Sequence, residues 1–147
     1  MESRHFKEKI WFKMQELQKI VKKPLVEATQ PEGLAPQQAM LLITISKNQI
    51  QTVGDICKVF EIMQANASTM CKKLEKDGFI NRTRDSGDER IVKLSITEKG
   101  RQSVERILKR LEVFDKMFDK MPPDERQKII DVFDFISKEI SNLEDIE

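Results

Sequence analysis

The stretch QANASTMCKKLEKDGFINRTRDSGDERIVKLSITEKG, residues 64–100, contains the change of hydrophobic period that decides the fold. Its first part has apolar residues at spacings of three and four and predicts a helix over residues 65–77. Gly78 suits the left-handed position that ends such a helix. Apolar and polar residues then alternate in two segments, 79–84 and 91–97, which flank a run of turn-forming residues. The stretch therefore predicts a helix followed by a β-hairpin.

Three further helices are predicted upstream of this stretch. The first runs from Ser3 to Lys23. Its apolar stripe consists of Phe6, Ile10, Met14, Leu17 and Val21. We expect Pro24 to end it, because proline lacks the amide hydrogen that a helix interior needs, and residues 24–35 then form a loop. A second helix follows over residues 36–46.

The remaining helices lie on either side of the 64–100 stretch. A short third helix begins after Thr52, whose side chain can cap it together with Asp55 in the place of a capping-box acid. Downstream, a long amphipathic helix runs from Thr97 to Met121 and is broken by two consecutive prolines. A second long amphipathic helix follows these prolines. The chain is therefore predicted to be mainly helical with one hairpin.

This order of elements predicts a winged helix-turn-helix, a mainly α fold with a small β-hairpin wing, over residues 34–99 of a single 1–147 chain. The flanking helices, residues 1–23 and 100–147, have broader apolar faces than so small a middle domain can cover. We expect these faces to be dimerisation helices that pair with a second copy of the chain. Packing of the same faces within one chain is the alternative.

Charge is distributed unevenly along the chain. Its 147 residues include 26 Lys and Arg and 25 Asp and Glu, for a formal net charge of +1. Residues 64–101 contain nine basic and six acidic residues, whereas residues 122–147 contain three and eight. A nucleic-acid-binding protein needs clustered positive charge on one face more than a basic total. A solvated surface with an acidic tail would give the same counts.

The composition argues against several other classes of protein. A single histidine is too few for a His-based triad or a multi-His metal centre, and Cys57 and Cys71 lack the spacing of a zinc site. We find no nucleophile–base pair, phosphate-binding glycine loop or paired-carboxylate motif, so neither an enzyme nor a cofactor is expected. No apolar run approaches the length of a membrane span, and no signal-peptide core is present. We expect a soluble, cytoplasmic protein without membrane contact.

Residues 88–100 read Asp-Glu-Arg-Ile-Val-Lys-Leu-Ser-Ile-Thr-Glu-Lys-Gly. They resemble the wing signature of the MarR family of transcriptional regulators: an Asp, any residue, an Arg, then Leu-x-Leu-Thr-x-x-Gly, with Ile96 where Leu is usual. The run from Leu74 to Ile80, followed by Arg82, is similar to the family's passage from recognition helix to wing. The resemblance covers nearly the whole chain, although Ala35 and Met63 stand where capping residues are commoner.

The resemblance implies a sequence-specific transcriptional regulator that acts as a homodimer on double-stranded DNA with a pseudo-palindromic operator. It further implies a repressor that is released by a small ligand, such as an aromatic or phenolic compound. A winged helix that binds other proteins and no longer binds DNA is a less favoured alternative, because the basic residues of the recognition helix and the wing are present.

Two groups of side chains are the predicted DNA contacts. Short polar groups near the start of the recognition helix suit base edges, and the lysines that follow suit phosphates. These residues are Gln64, Asn66, Ser68, Thr69, Lys72 and Lys73. The wing supplies three exposed cations, Arg82, Arg84 and Arg90, with Asp88 placed to orient the Arg90 guanidinium. The resemblance implies that Arg90 enters or flanks the minor groove; a surface ion pair of little energetic value is the alternative.

Two further sites are predicted. The family resemblance implies a ligand pocket between the dimerisation helices and the DNA-binding domain, which Trp11, Met14, Phe114 and Phe118 could line unless they are ordinary core residues. Some relatives sense oxidants through a thiol, so an oxidant-sensing regulator on the same scaffold is the alternative function. Such a sensor needs a cysteine with thiolate character and access to solvent, and we favour core packing for both cysteines.

Overall fold

The computed structural model describes residues 2–144 and is mostly helical with a two-stranded antiparallel hairpin, which confirms the predicted fold class. The predicted C-terminal helical region extends to residue 147, so its last three residues lie outside the described part. The elements in chain order are α1 Glu2–Thr29, a short 3-10 helix Gln30–Glu32, α2 Pro36–Ser46, α3 Val53–Phe60, α4 Gln64–Lys76, β1 Ile80–Arg84, β2 Val92–Ile96, α5 Glu98–Asp119 and α6 Pro123–Glu144.

Pro24 does not end α1, contrary to the prediction from sequence. The helix continues through it to Thr29, and the 3-10 helix follows, so most of the predicted loop over residues 24–35 is helical. A proline inside a helix costs about 3 kcal/mol, because one hydrogen bond is lost and the ring crowds the preceding turn. The residues beyond it offset this cost by burial: Ala28 is 3% exposed and Thr29 is 2% exposed.

Glu32, at the end of the 3-10 helix, is hydrogen-bonded to two arginines of α5. Its carboxylate accepts hydrogen bonds from Arg106 Nη2 at 2.7 Å and from Arg110 Nη1 at 2.8 Å, and Arg110 Nη1 also donates to the carbonyl of Ala28 at 3.0 Å. The Glu32 side chain is only 6% exposed. Its hydrogen bond to Arg106 above all, with Arg110 assisting, lowers the Glu32 pKa to about 2 against the opposing effect of burial.

The core of the winged helix-turn-helix is formed by α2, α3, α4, the hairpin and the first turns of α5. Its largest fully buried apolar side chains are Leu41, Leu42, Ile50, Ile56, Leu74, Ile80 and Ile107. The predicted capping box of α3 is confirmed: Asp55 N donates to Thr52 Oγ1 at 3.1 Å, and Thr52 N donates to Asp55 Oδ2 at 2.9 Å. After α3 the chain turns at Glu61, which has a left-handed φ of 50°, and enters α4.

The hairpin pairs Ile80 with Ile96, Arg82 with Leu94 and Arg84 with Val92. A third segment extends this sheet: Leu94 N donates to the carbonyl of Gln51 at 2.8 Å, and Thr52 forms an isolated bridge with Lys93. The residues just before α3 therefore lie along β2. This contact ties the start of the helix-turn-helix to the wing.

The chain divides after Leu111 into two compact units, with α5 crossing the boundary. The first unit contains the core described above. In the second unit, several apolar side chains of α6 are at least half exposed: Ile130, Val132, Phe133 and Phe135. Among the residues that the structure describes, we find no candidate for a membrane-spanning helix.

Candidate nucleic-acid interface

The exposed side of α4 contains most of the predicted base-contacting residues. Ala67, Cys71 and Leu74 turn inward and are fully buried, which leaves Gln64, Asn66 and Thr69 exposed on the outer side. Ser68 is half-buried at the margin of this side, so it is less accessible than predicted. Met63 provides no side-chain cap, as its apolar side chain requires.

Two polar contacts set what α4 offers to a partner. The Thr69 hydroxyl donates to the carbonyl of Ala65 at 2.9 Å, so its hydrogen is already used and its oxygen remains available as an acceptor. Lys73 Nζ lies 2.9 Å from Asp77 Oδ2 and holds the pKa of that carboxyl below its usual value. Lys72 is exposed and forms no ion pair with any residue described here, so no carboxylate neutralises its charge as Asp77 does that of Lys73.

At the wing tip, Asp88 orients Arg90 as the sequence predicted. Its carboxylate accepts from Arg90 N at 3.0 Å, Nε at 3.1 Å and Nη2 at 3.3 Å, and these bonds lower the Asp88 pKa. The Arg90 side chain is nevertheless 91% exposed. Asp88 thus holds the guanidinium through Nε and Nη2 while most of the side chain stays exposed. This arrangement suits contact with a phosphate or a narrow minor groove.

Arg84 and Arg82 have different environments although both lie on β1. Arg84 is exposed, and its Nη1 donates to the carbonyl of Glu89 at 2.8 Å, which closes the tip of the hairpin. The Arg82 side chain is 19% exposed and lies beside Glu75 of α4. The prediction that three wing arginines are exposed cations is therefore wrong for Arg82.

The junction of α4, the wing and α5 explains the Thr-x-x-Gly part of the wing signature. The Thr97 hydroxyl donates to the carbonyl of Gly78 at 2.6 Å and accepts from Gly100 N at 3.0 Å, so it caps α5 and anchors it to the end of α4. A Cβ on Gly100 would lie 2.2 Å from the Phe79 carbonyl oxygen. Only glycine lets α5 begin this close to the wing.

Two exposed cations beside the predicted DNA contacts were missed by the sequence analysis. Lys76 is exposed on the outer side of α4, one turn beyond Lys72, and the helical period contained that signal. Lys93 lies on the outer face of β2, where its Nζ is 2.6 Å from Asp85 Oδ1 and lowers the pKa of that carboxyl. The strand alternation that places Leu94 inward also places Lys93 outward.

The environments of the two cysteines favour a role in core packing over a role in oxidant sensing. Cys71 is fully buried, and burial raises its thiol pKa to about 11, far from the thiolate character that a sensor needs. Cys57 is half-buried and packs against the same core. Among the described residues, no group of three His, Cys, Asp or Glu side chains could hold a metal ion.

The predicted ligand-lining residues are distributed over both units. Trp11 and Met14 lie on α1, where they are 57% and 49% exposed. Phe114 is half-buried and Phe118 is 46% exposed, and both belong to the second unit. A shallow groove along α1 is lined by Leu17, Val21 and Leu25 of that single helix, so it is an open surface.

A helix-turn-helix whose second helix presents polar and cationic side chains, beside a hairpin with an exposed arginine at its tip, defines the winged helix-turn-helix class of DNA-binding proteins. The MarR family model matches residues 34–92. The chain is 29% identical over 109 residues to the HTH-type transcriptional regulator YwhA of Bacillus subtilis, covering 74% of this chain and 78% of YwhA.

Two further similarities agree with this match. The HTH-type transcriptional repressor MdtR of Bacillus subtilis is 26% identical over 99 residues, which cover 67% of this chain and 64% of MdtR. The structure of reduced AbfR bound to DNA shares the fold with a TM-score of 0.76 at 19% identity, over 95% of this chain and 96% of that chain. The family model over residues 34–92 and the related regulators support a MarR-family winged-helix transcriptional regulator, and the shared fold agrees with this.

Proposed function

We propose that this regulator acts as a homodimeric repressor that reads its operator with α4, contacts the flanking DNA with the wing tip, and is released by a small ligand. The observation that carries the DNA contacts is the exposed side of α4, with Asn66, Thr69 and Lys72, beside the outward guanidinium of Arg90. The relative MdtR is a transcriptional repressor by name, and the AbfR structure contains DNA; both support this proposal.

The apolar faces of the long helices support the homodimer. On α1, Phe6 is 64% exposed and Phe12 is 66% exposed, and on α6, Phe133 is 51% exposed. Large apolar side chains left exposed on a helix are candidates for an interaction site. A two-fold pair would also place two copies of α4 about 34–36 Å apart, in successive major grooves of a pseudo-palindromic operator.

The proposed effector is a small aromatic or phenolic compound; the candidate contacts are Trp11 and Met14 in the first unit and, separately, Phe114 and Phe118 in the second. Its support is the aromatic and thioether character of side chains that a single chain leaves partly exposed. A thermal-shift screen of such compounds, followed by measurement of DNA release, tests this part. An effector must both raise the melting temperature and weaken DNA binding; compounds that do only the first are not effectors.

One experiment separates base reading from phosphate contact. The unmodified protein first selects a DNA duplex from a random-sequence pool. The affinity of each variant for this selected duplex and for a scrambled duplex is then measured at several salt concentrations. Arg90→Ala should weaken binding to both duplexes and flatten the log–log salt dependence by about one unit, because one phosphate contact is lost. Asn66→Ala should reduce discrimination by about 1–3 kcal/mol at particular base pairs if it makes a bidentate contact.

Lys138→Ala, which changes an exposed lysine far along the chain on α6, is the matched control for the loss of one charge. It should leave both affinities and the salt dependence as they are. An Arg90→Ala protein with unaltered affinity at every salt concentration would remove the wing from the DNA interface.

A further inference from the structure

Arg82 occupies a position on the wing that differs from that of the arginines near the tip. Cross-strand partners share one face of a sheet, and Arg82 is paired with Leu94, which is 7% exposed. Ile80, two residues earlier on the same face, is 1% exposed. The Arg82 side chain is thus on the inward face of the hairpin. Its 19% exposure contrasts with the 91% of Arg90.

A single carboxylate on the recognition helix holds Arg82 at two points. Glu75 Oε1 accepts from the main-chain nitrogen of Arg82 at 3.1 Å, and Glu75 Oε2 accepts from Arg82 Nη1 at 3.4 Å. An ordinary surface ion pair joins two mobile side-chain ends and contributes little. Here one of the two bonds is to the strand backbone, which cannot move without the wing moving too.

The structure assigns Glu75 and Arg82 as a positioning pair that sets the distance and orientation between α4 and the wing. This inference rests on the proposed function, in which α4 and the wing tip contact the same DNA. Both can engage one site only if their separation fits the spacing of the grooves, and a separation fixed before binding avoids the ordering cost of a mobile wing. Arg82 acts through the wing and does not itself contact phosphate.

The test uses four variants of the 147-residue chain: Glu75→Ala, Glu75→Gln, Arg82→Met and the double variant Glu75→Ala/Arg82→Met. Each is titrated against a fluorescein-labelled duplex selected from a random-sequence pool by the unmodified protein, and against a scrambled duplex. Arg82→Met retains the aliphatic part of the side chain. Glu75→Ala removes a negative charge near DNA, so electrostatics alone would strengthen its binding, whereas loss of positioning weakens it.

We expect Glu75→Ala and Arg82→Met each to lower affinity for the selected duplex by about tenfold, the scale of one charge-assisted hydrogen bond. Affinity for the scrambled duplex and the slope of its salt dependence should hardly change. The double variant should be no weaker than the weaker single variant, because both changes remove the same link. Glu75→Gln, which can still accept from the Arg82 main chain, should recover part of the loss.

The control is Arg90→Met, the same substitution at the exposed arginine, which should flatten the salt dependence by about one unit. If Arg82→Met flattens it equally and Glu75→Ala binds as well as or better than the unmodified protein, Arg82 is a phosphate contact and the positioning pair is refuted. Thermal unfolding and circular dichroism check that each variant is folded. Should Arg82→Met unfold, the specificity ratio of Glu75→Ala decides, and an unchanged ratio overturns the inference.

Failure of the proposed function has a different signature. In that case the unmodified protein enriches no sequence from the random pool, or Arg90→Met leaves the salt dependence unaltered. The ratio of selected to scrambled affinity in the Glu75 and Arg82 variants reports on the positioning pair alone.

Discussion

The part of the chain before Leu111 and the part after it use their apolar residues in different ways. Before Leu111, side chains such as Leu42, Ile56 and Leu74 are fully buried within one unit. After it, the apolar side chains of α6 are exposed or at most half-buried wherever they are described. The first unit has a core of its own, whereas α6 has an amphipathic face without one. A helix of this second kind gains most of its stability from tertiary or quaternary packing.

The largest expected effect comes from placing charge on the apolar face of α6. The double change Ile129→Glu/Phe133→Glu should weaken dimerisation by at least about 100-fold, because burial of each original side chain contributes about 1.5–3 kcal/mol. Light scattering after size-exclusion chromatography measures the assembly state. Lys138→Glu, on the opposite side of α6 and with the same change in net charge, should remain dimeric. A monodisperse monomer of the unmodified protein at micromolar concentration would contradict the homodimer.

Gly100→Ala tests how tightly the first unit is packed. The new Cβ would lie 2.2 Å from the Phe79 carbonyl oxygen and 2.8 Å from Ile96 Cγ1, so we expect a loss of about 1–3 kcal/mol in the free energy of unfolding. Gly54→Ala is the matched control, since its Cβ meets only Thr52 Oγ1 at 3.6 Å. That substitution should instead stabilise α3 by about 0.4–1 kcal/mol. Denaturant unfolding of both variants measures the two signs, and a Gly100→Ala variant at least as stable as the native protein would show that α5 does not begin close to the wing.

The hydrogen bonds of Glu32 to Arg106 and Arg110, called here the Glu32 clamp, should make the stability of the first unit sensitive to acid. The Glu32 pKa is lowered from 4.5 to about 2, so the stabilisation is complete above pH about 4.5 and is lost as pH falls toward 2. We expect about 2 kcal/mol at neutral pH, because Arg106 is half exposed and solvent weakens the pair. The difference in unfolding free energy between the native protein and Glu32→Gln measures this clamp. That difference should shrink between pH 4.5 and 2, and a constant difference would count against it.

The smallest effect is expected at the turn between α3 and α4. Glu61 has a left-handed backbone, with φ 50° and ψ 43°, which costs an L-residue about 1–2 kcal/mol. Glu61→Gly should therefore raise the free energy of unfolding by about 0.5–1 kcal/mol after the entropy of glycine is subtracted. Glu61→Ala keeps the Cβ, and with it the backbone restriction, and removes the Cγ and the carboxylate. Equal stabilities of the glycine and alanine variants would place the effect in electrostatics.

Much of the first unit could be predicted because its signals are local. The capping box of Thr52 and Asp55, the glycine that ends α4 and the alternation of β2 are all short-range patterns, and the structure confirms them. The same alternation contained the position of Arg82. The pairing of Arg82 with Leu94 follows from the register of the hairpin. The prediction from charge nevertheless treated Arg82, Arg84 and Arg90 as equivalent cations.

The features that were missed depend on distant parts of the chain. Arg106 and Arg110 are 74 and 78 residues away from Glu32, and no local pattern links them. The continuation of α1 through Pro24 depends on burial of the residues beyond it, which the local cost of proline concealed. The contact of Gln51 with β2 likewise required the folded wing.

The hydrogen bond from the Arg82 main chain to Glu75 has a consequence for aggregation. A protruding hairpin presents strand edges to which another chain can add, and an open edge of this kind is a hazard in solution. On β1 the outward N–H of Arg82 is already bonded to Glu75, and on β2 the outward N–H of Leu94 is bonded to the carbonyl of Gln51. Each strand of the wing thus has an outward amide occupied by its own chain. The wing can protrude far enough to reach a partner without offering those amides as a template for β-sheet extension by neighbouring copies.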